Sequence, residues 1–305
     1  MRRARLLERF DPMDLLKVLM PADYATAFDR PVGEPSLMSP DAISWQVFRN
    51  PVTMFIGGVA AVLLELGEAR VRAAVWEHSR FRNDPADRLR RTGFAAMVMV
   101  YAARSAATTM AREVCAIHDR IAGTTACGQT YAASDPLLLR WVHATAAYGF
   151  LAAYHRYAHK MSPTECDRFY AEGRPGAILF GVQDVVGSEA TFQALLAEMG
   201  PTLTPSPILH EVLQLIRNAT LLPKPLRHLQ HLFVRAGVDL LPRWLREQLR
   251  ITQEGLATPG HGLALKGLVK VADRMVLPGG PPAMACRRMG LPSDYLLRGG
   301  WRPST

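Results

Sequence analysis

The sequence predicts an all-α fold, built as a single large domain of about 10 to 12 helices. Glycine and proline divide the 305 residues into blocks of helix length. β-Branched residues show almost no alternation with a period of two, which is the pattern expected of a half-buried strand. Hydrophobic residues make up 49% of the chain, so the domain has enough apolar side chains for a sizeable core.

The predicted helices follow one another along the whole chain. Several begin at or just after a proline, which suits the first helical turn because that turn leaves its N–H groups unpaired. They cover residues 13–19, 41–48, 52–78, 87–103, 105–121, 136–159, 163–173, 189–199, 207–218, 225–236, 242–253 and 262–274.

The composition divides the chain into three segments. Residues 1–40 are expected to form an N-terminal helix and a loop or lid, because 21–40 is rich in proline, glycine and serine. Residues 41–253 form the main domain. Residues 254–305 supply a C-terminal helix and an irregular tail, starting near Leu277, that packs on the domain.

The most hydrophobic run, residues 52–64, lies between Pro51 and Glu65. It is roughly 13 residues long, whereas a helix that crosses a bilayer needs about 20. A buried core helix explains the run better, with Gly57 and Gly58 permitting close packing.

Composition and charge exclude several classes of protein. The N-terminus, MRRARLLERFDPMDLLKVLM, lacks the uninterrupted apolar centre of a secretory signal. The four cysteines have no paired spacing, which favours reduced thiols in a cytoplasmic protein. The formal net charge is +9, but the arginines are interleaved with acids, so we expect neither a nucleic-acid partner nor stable membrane insertion.

His118 is the first candidate for chemistry. It lies in the predicted helix 105–121, three or four residues from apolar positions such as Val114 and Ile121, and so falls in the apolar stripe. A buried imidazole must be hydrogen-bonded or bound to a metal, because leaving it unpaired costs about 1 to 3 kcal/mol. The alternative is an ordinary, satisfied core histidine.

His143 presents the same choice within the helix 136–159. It shares one face with Ala147 and Phe150, and small residues surround it in LLLRWVHATAAYGF. Such residues let either a flat cofactor or a neighbouring helix approach closely, so both interpretations stay open.

The segment DPADRLRRT carries a polar cluster at helical spacing. Arg88, Arg91 and Thr92 lie at i, i+3 and i+4 and therefore on one side of a helix. They are suited to binding an anion or an oxygen species near a metal. A surface cluster of ion pairs is the alternative.

Several further motifs occur with this segment in one order. They are EHSRFRNDPADRLRRT, VCAIHDRIAG, YAASDPLLLRWVHAT, MSP followed by DRFYAE, FGV and LLPRWLREQ. Together they resemble the family of helical oxygenases that contains the bacterial latex clearing protein and the fungal MpaB oxygenase, over the span from Trp45 to about Leu249.

This resemblance implies a helical protein, unrelated to the globins, that binds haem b in a buried pocket and uses dioxygen to cleave a carbon–carbon double bond in an isoprenoid. The RxxKT helix of the family matches Arg88, Arg91 and Thr92, and the family's proximal iron ligand matches His118. Arg91 replaces the family's lysine and stays protonated, so it cannot bind the iron. His143 is kept as the alternative ligand because Ala122 stands where the family's histidine motif often has a basic residue.

We therefore expect a haem b-dependent oxygenase that acts on a small apolar or isoprenoid-like metabolite. Arg88, Arg91 and Thr92 are the catalytic candidates, and His118 is the candidate iron ligand. His143, Phe94, Met97 and Phe150 join His118 and Arg88 as candidates for haem contact, with Met99 beside them in an apolar pocket. Two alternatives remain, namely a haem enzyme of dehydration, rearrangement or peroxidation and a non-catalytic haem-binding protein. A homo-oligomer is compatible with the sequence.

Overall fold

The computed structural model describes residues 24–256 and 258–298, together with Leu16, Val18, Met20 and Pro21. Most of the predicted helix 13–19 lies outside these residues. The α-helices are α1 (Ala25–Asp29), α2 (Ile43–Val47), α3 (Pro51–Gly67), α4 (Ala69–His78), α5 (Pro85–Tyr101), α6 (Arg104–His118), α7 (Pro136–Tyr157), α8 (Pro163–Glu172), α9 (Arg174–Leu179), α10 (Glu189–Met199), α11 (Pro207–Asn218), α12 (Arg227–Val238), α13 (Arg243–Gln248), α14 (Pro259–Ala272) and α15 (Pro281–Arg288).

The all-α prediction is confirmed, although the chain has more helices than the ten to twelve expected. Within the described residues, strand structure is limited to a small antiparallel hairpin and one isolated bridge. In the hairpin, β1 (Ala122–Thr124) pairs with β2 (Thr130–Ala132), and Ala122 lies opposite Ala132. No helix in the described part of the chain is long and apolar enough to span a membrane.

Helices α3 and α7 form the centre of the core. They run antiparallel, since Gly57 meets Gly149 while the Trp141 indole N–H donates to the Leu64 carbonyl oxygen at 3.3 Å. The two glycines let the helix backbones touch, because neither carries a Cβ between them. The predicted close packing around Gly57 is therefore observed, with α7 as the partner helix.

Asn50 begins α3 and ties it to α14. Its side-chain oxygen accepts hydrogen bonds from the backbone N–H groups of Val52 and Thr53, which satisfies two groups at the helix N-terminus. Its side-chain amide donates to the Val269 carbonyl oxygen at 3.1 Å and to the Asp273 carboxylate at 3.2 Å. Helix α14 is thereby fixed against the start of α3.

The prediction of one continuous helix over residues 52–78 was wrong. Glu68 adopts an extended conformation between α3 and α4, and its carboxylate accepts hydrogen bonds from the N–H groups of Arg70 at 2.6 Å and Val71 at 2.9 Å. A side chain that caps the next helix competes with continuation of the previous one.

Residues 281–288 form α15 where the sequence predicts an irregular tail. Arg288 is only 2% exposed and its guanidinium donates to the carbonyl oxygens of Phe28 and Tyr101 and to the Ser36 hydroxyl, at 2.6 to 3.0 Å. These bonds hold α15 against α1 and α5. Local composition could not reveal them, since the partners lie far away in the sequence.

Candidate functional site

Helices α5 and α6 form a hairpin whose open end carries the candidate residues. The turn between them, Ala102 and Ala103, is fully buried. The side chains become more exposed with distance from this turn. Residues 85–96 of α5 and 112–118 of α6 contain no fully buried side chain. The ends that carry Arg88 and His118 therefore offer accessible surface.

Arg88 and Thr92 are held together on α5. Asp84 caps the helix and Pro85 occupies its first turn, so the start of the helix is set by local sequence. Arg88 and Thr92 then lie one turn apart. The Arg88 guanidinium donates to the Thr92 hydroxyl oxygen, and that hydroxyl donates to the Arg88 carbonyl oxygen at 2.9 Å. The two residues thus lie on the same side of α5, as their spacing predicts, and they are hydrogen-bonded to each other.

Glu65 is a residue of this site that sequence reasoning missed. It lies on α3 beside Arg88, and burial raises the pKa of its carboxyl to about 8 although the Arg88 charge acts in the opposite direction. Glu65 therefore holds a proton at neutral pH. The available signal was its position as the sole ionisable residue in the sequence of α3, PVTMFIGGVAAVLLELG.

His118 is the last residue of α6 and lies within electrostatic reach of Arg88. Burial lowers the pKa of its imidazole, the Arg88 charge lowers it further, and Asp119 partly opposes them. Its Nδ1 is buried and has no hydrogen-bond partner in the described part of the chain. A neutral, unpaired imidazole is chemically suited to bind a metal ion.

His143 lies elsewhere, on the side of α7 that faces the start of α9. A Cβ at Gly173 would be 3.8 Å from its Cε1 atom. Burial lowers the pKa of His143 to about 4, with no charged group contributing to the shift. The structure therefore places His118, and not His143, beside Arg88.

The other predicted site residues divide between solvent, core and cavity. The Arg91 side chain is 74% exposed and pairs with Asp87 at 3.3 Å. Phe94 packs edge-on against Phe28, with ring centroids 5.9 Å apart. Met97 and Phe150 line a cavity, while Met99 is buried in the core.

This cavity has a volume of about 350 Å³ and almost entirely apolar walls. It lies between α3, α5, α11, α14 and residues 275–297, which we call the C-terminal segment. Its lining includes Thr92 but neither Arg88 nor His118. Its main polar feature is the ion pair of Arg49 with Asp273, at 2.5 Å. Thr92 thus connects the apolar cavity to the polar cluster of Arg88, Glu65 and His118.

We expect Glu65→Gln to stabilise the protein at neutral pH. Between its ordinary pKa of 4.5 and its folded pKa of about 8, the folded protein retains a proton that the unfolded chain releases, so stability falls as pH rises through this window. Glutamine removes that fall, and we expect a gain on the order of 3 kcal/mol at pH 7, because pH 7 lies about 2.5 units above the ordinary pKa and each unit corresponds to about 1.4 kcal/mol.

Urea unfolding of both proteins at several pH values measures this effect. The exposed Glu113 on α6 provides the control, since Glu113→Gln should leave the pH dependence of the unfolding free energy unchanged. A Glu65→Gln protein whose stability still falls between pH 5 and 8 as in the parent would contradict the assignment, with the window taken from the pKa shift.

The described residues contain no group of three or more His, Cys, Asp or Glu side chains that could hold a metal ion. No curated protein and no solved structure matches the chain. Residues 45–274 match the family described as ER-bound oxygenase mpaB/B'/rubber oxygenase, catalytic domain. That match covers well over half of the chain and includes α3, α5, α6 and α7. The protein therefore belongs to the mpaB and rubber oxygenase family of catalytic domains.

Proposed function

We propose that this protein is a haem b-dependent oxygenase that acts on a small apolar or isoprenoid-like metabolite, with oxidative cleavage of a carbon–carbon double bond as the reaction. The observation that carries the proposal is the buried, unpaired Nδ1 atom of His118 beside Arg88. An imidazole in such surroundings lacks a bond that a ligand supplies.

His118 is suited to hold the haem iron. The depressed pKa of His118 keeps the imidazole neutral at physiological pH, so a ring nitrogen lone pair is free to coordinate. It lies at the accessible end of the α5–α6 hairpin, where its side chain is only partly buried. Haem held there would supply the iron coordination site at which dioxygen is activated.

Arg88 would place a positive charge near a group held by His118, because its charge already acts on that imidazole. Its hydrogen bond to the Thr92 hydroxyl restricts its orientation. N–H donors held in place stabilise negative charge on oxygen atoms of a reacting substrate better than mobile ones. Glu65 keeps a proton next to Arg88 at neutral pH, where it can be passed to an oxygen atom that becomes basic.

The cavity supports an apolar substrate of limited size. Its volume of about 350 Å³ is near the lower end of the roughly 300 to 1,000 Å³ typical of ligand sites. Hydrocarbon walls exclude water and favour an apolar molecule. Because Thr92 borders both the cavity and the polar cluster, one part of such a molecule would lie near Arg88.

The test is a visible absorption spectrum of protein purified from haem-supplemented cells, combined with measurement of dioxygen uptake. We expect a Soret band, about one haem b per chain, and dioxygen consumption with isoprenoid-like alkenes. Absence of the band after reconstitution would reject the proposal. Haem without dioxygen consumption would favour another haem reaction or a non-catalytic haem protein.

We expect Arg88→Ala and Thr92→Ala to retain haem but to lower turnover by about 100-fold or more, because stabilisation of developing charge on oxygen commonly contributes that much. Dioxygen uptake under saturating substrate measures the effect. Arg112→Ala removes an exposed arginine from α6 and serves as the control that keeps activity. Unchanged uptake in both test variants would show that this side of α5 does not face the reacting atoms.

A further inference from the structure

An exposed apolar surface surrounds one side of the cavity. It is formed by α14 and the C-terminal segment, and we call it the α14 patch. Leu263 is 72% and Val271 62% exposed, which is unusual for large apolar side chains. The large exposed apolar residues of the patch are Leu263, Val271, Met275, Val276 and Leu297.

The patch is continuous with the cavity. All of its large apolar residues except Leu263 also line the cavity wall. Leu263 lies on the solvent face of the same helix, two turns before Val271. The apolar surface therefore extends from the wall of the cavity to the outside of the protein.

Apart from Asp294, which pairs with Arg298, the exposed charged residues of the patch are basic. Lys266, Lys270 and Arg274 are exposed, and the first two lie three and seven residues after Leu263, on the same side of the helix. Asp273 is the single acidic residue between 255 and 293 in the sequence, and it points inward to Arg49 and Asn50. The surface thus combines exposed hydrocarbon with uncompensated positive charge.

We propose that the α14 patch docks on an anionic lipid bilayer, with α14 lying in the plane of the membrane surface. Apolar side chains flanked by lysine and arginine are characteristic of helices that bind at the interface without crossing it. The positive charges complement acidic headgroups, and each contributes about fivefold to binding. At 14 residues, α14 is shorter than the roughly 20 residues needed to span a bilayer.

Docking in this orientation places the cavity entrance against the acyl chains. An apolar molecule dissolved in the bilayer then enters the cavity without passing through water, so the cost of hydrating it is avoided. This step rests on the proposed oxygenase function. Binding to lipid does not, because the patch is formed by surface residues that do not contact the His118 cluster.

Vesicle flotation tests the proposal. We expect the protein to float with vesicles of equimolar phosphatidylcholine and phosphatidylglycerol and to bind pure phosphatidylcholine far more weakly. Lys266→Glu with Lys270→Glu should reduce binding by about 30-fold or more, since two attractive charges are removed. Leu263→Ser with Val271→Ser should also reduce it, because less hydrocarbon enters the interface.

The matched control is Arg80→Glu with Arg112→Glu. Both residues are exposed and neither lines the cavity, so net charge changes equally while the α14 patch is intact. An equal loss of vesicle binding in this control would show that overall charge alone explains the effect, and it would overturn the proposal. A lack of binding to either vesicle would overturn it too. A dimer seen in sedimentation and abolished by Leu263→Ser would also overturn it, because a second copy of the chain would then cover the patch.

Discussion

His118→Ala is expected to abolish haem retention, whereas His143→Ala keeps most of it. The difference follows from position, since only His118 lies beside Arg88 and has a buried ring nitrogen without a partner in the described residues. Loss of the side chain that binds a haem iron removes the protein's principal bond to the cofactor. The Soret absorbance relative to protein absorbance, measured after purification and reconstitution, gives the haem content of each variant.

Two controls make this result specific. Circular dichroism should show the parent's helix content in both variants, so that loss of haem reports on ligation rather than folding. His118→Gly supplemented with free imidazole should recover the Soret band, because the small molecule fits the space that the side chain leaves. Recovery in His143→Gly instead, together with haem loss in His143→Ala, would assign the iron ligand to His143.

Features determined by local sequence were predictable. The bounds of α10 and α11 agree with those predicted, and each helix begins after a serine whose hydroxyl accepts a backbone hydrogen bond, Ser188 and Ser206. The position of Arg88 and Thr92 on one side of α5 was predictable too, because residues four apart on one helix are neighbours.

Features that depend on distant segments were not. Glu65 becomes part of the site only because α3 packs where it feels the charge of Arg88 on α5. The apolar sequence of α3 indicates burial of Glu65 but does not identify this neighbour. The cavity likewise requires α11, α14 and the C-terminal segment to converge on Met97 and Phe150. Hydrophobic periodicity indicates that a helix has an apolar face, but it does not indicate which other helix that face contacts.

Gly57→Ala is expected to destabilise the fold by about 3 kcal/mol or more, at the upper end of the usual cost of overpacking a core. A Cβ there would lie 2.6 Å from the Gly149 carbonyl oxygen and 2.8 Å from the Phe150 Cα atom. Both are backbone atoms of α7, so relief requires the two helices to separate rather than a side chain to rotate. Gly149→Ala should behave in the same way, because its Cβ would meet the Gly57 carbonyl oxygen.

The adjacent glycine supplies the matched control for this prediction. A Cβ at Gly58 would lie 3.9 Å from the Phe150 ring, an ordinary contact, and alanine is favoured over glycine in a helix by up to about 1 kcal/mol. Thermal unfolding followed by circular dichroism should therefore show a melting temperature lower by roughly 5 °C or more for Gly57→Ala, with Gly58→Ala unchanged or slightly more stable. Equal behaviour of the two variants would mean that the α3 and α7 backbones do not touch. Since α3 carries Glu65 and α7 carries Phe150, the same contact sets the distance between the polar cluster and the wall of the cavity.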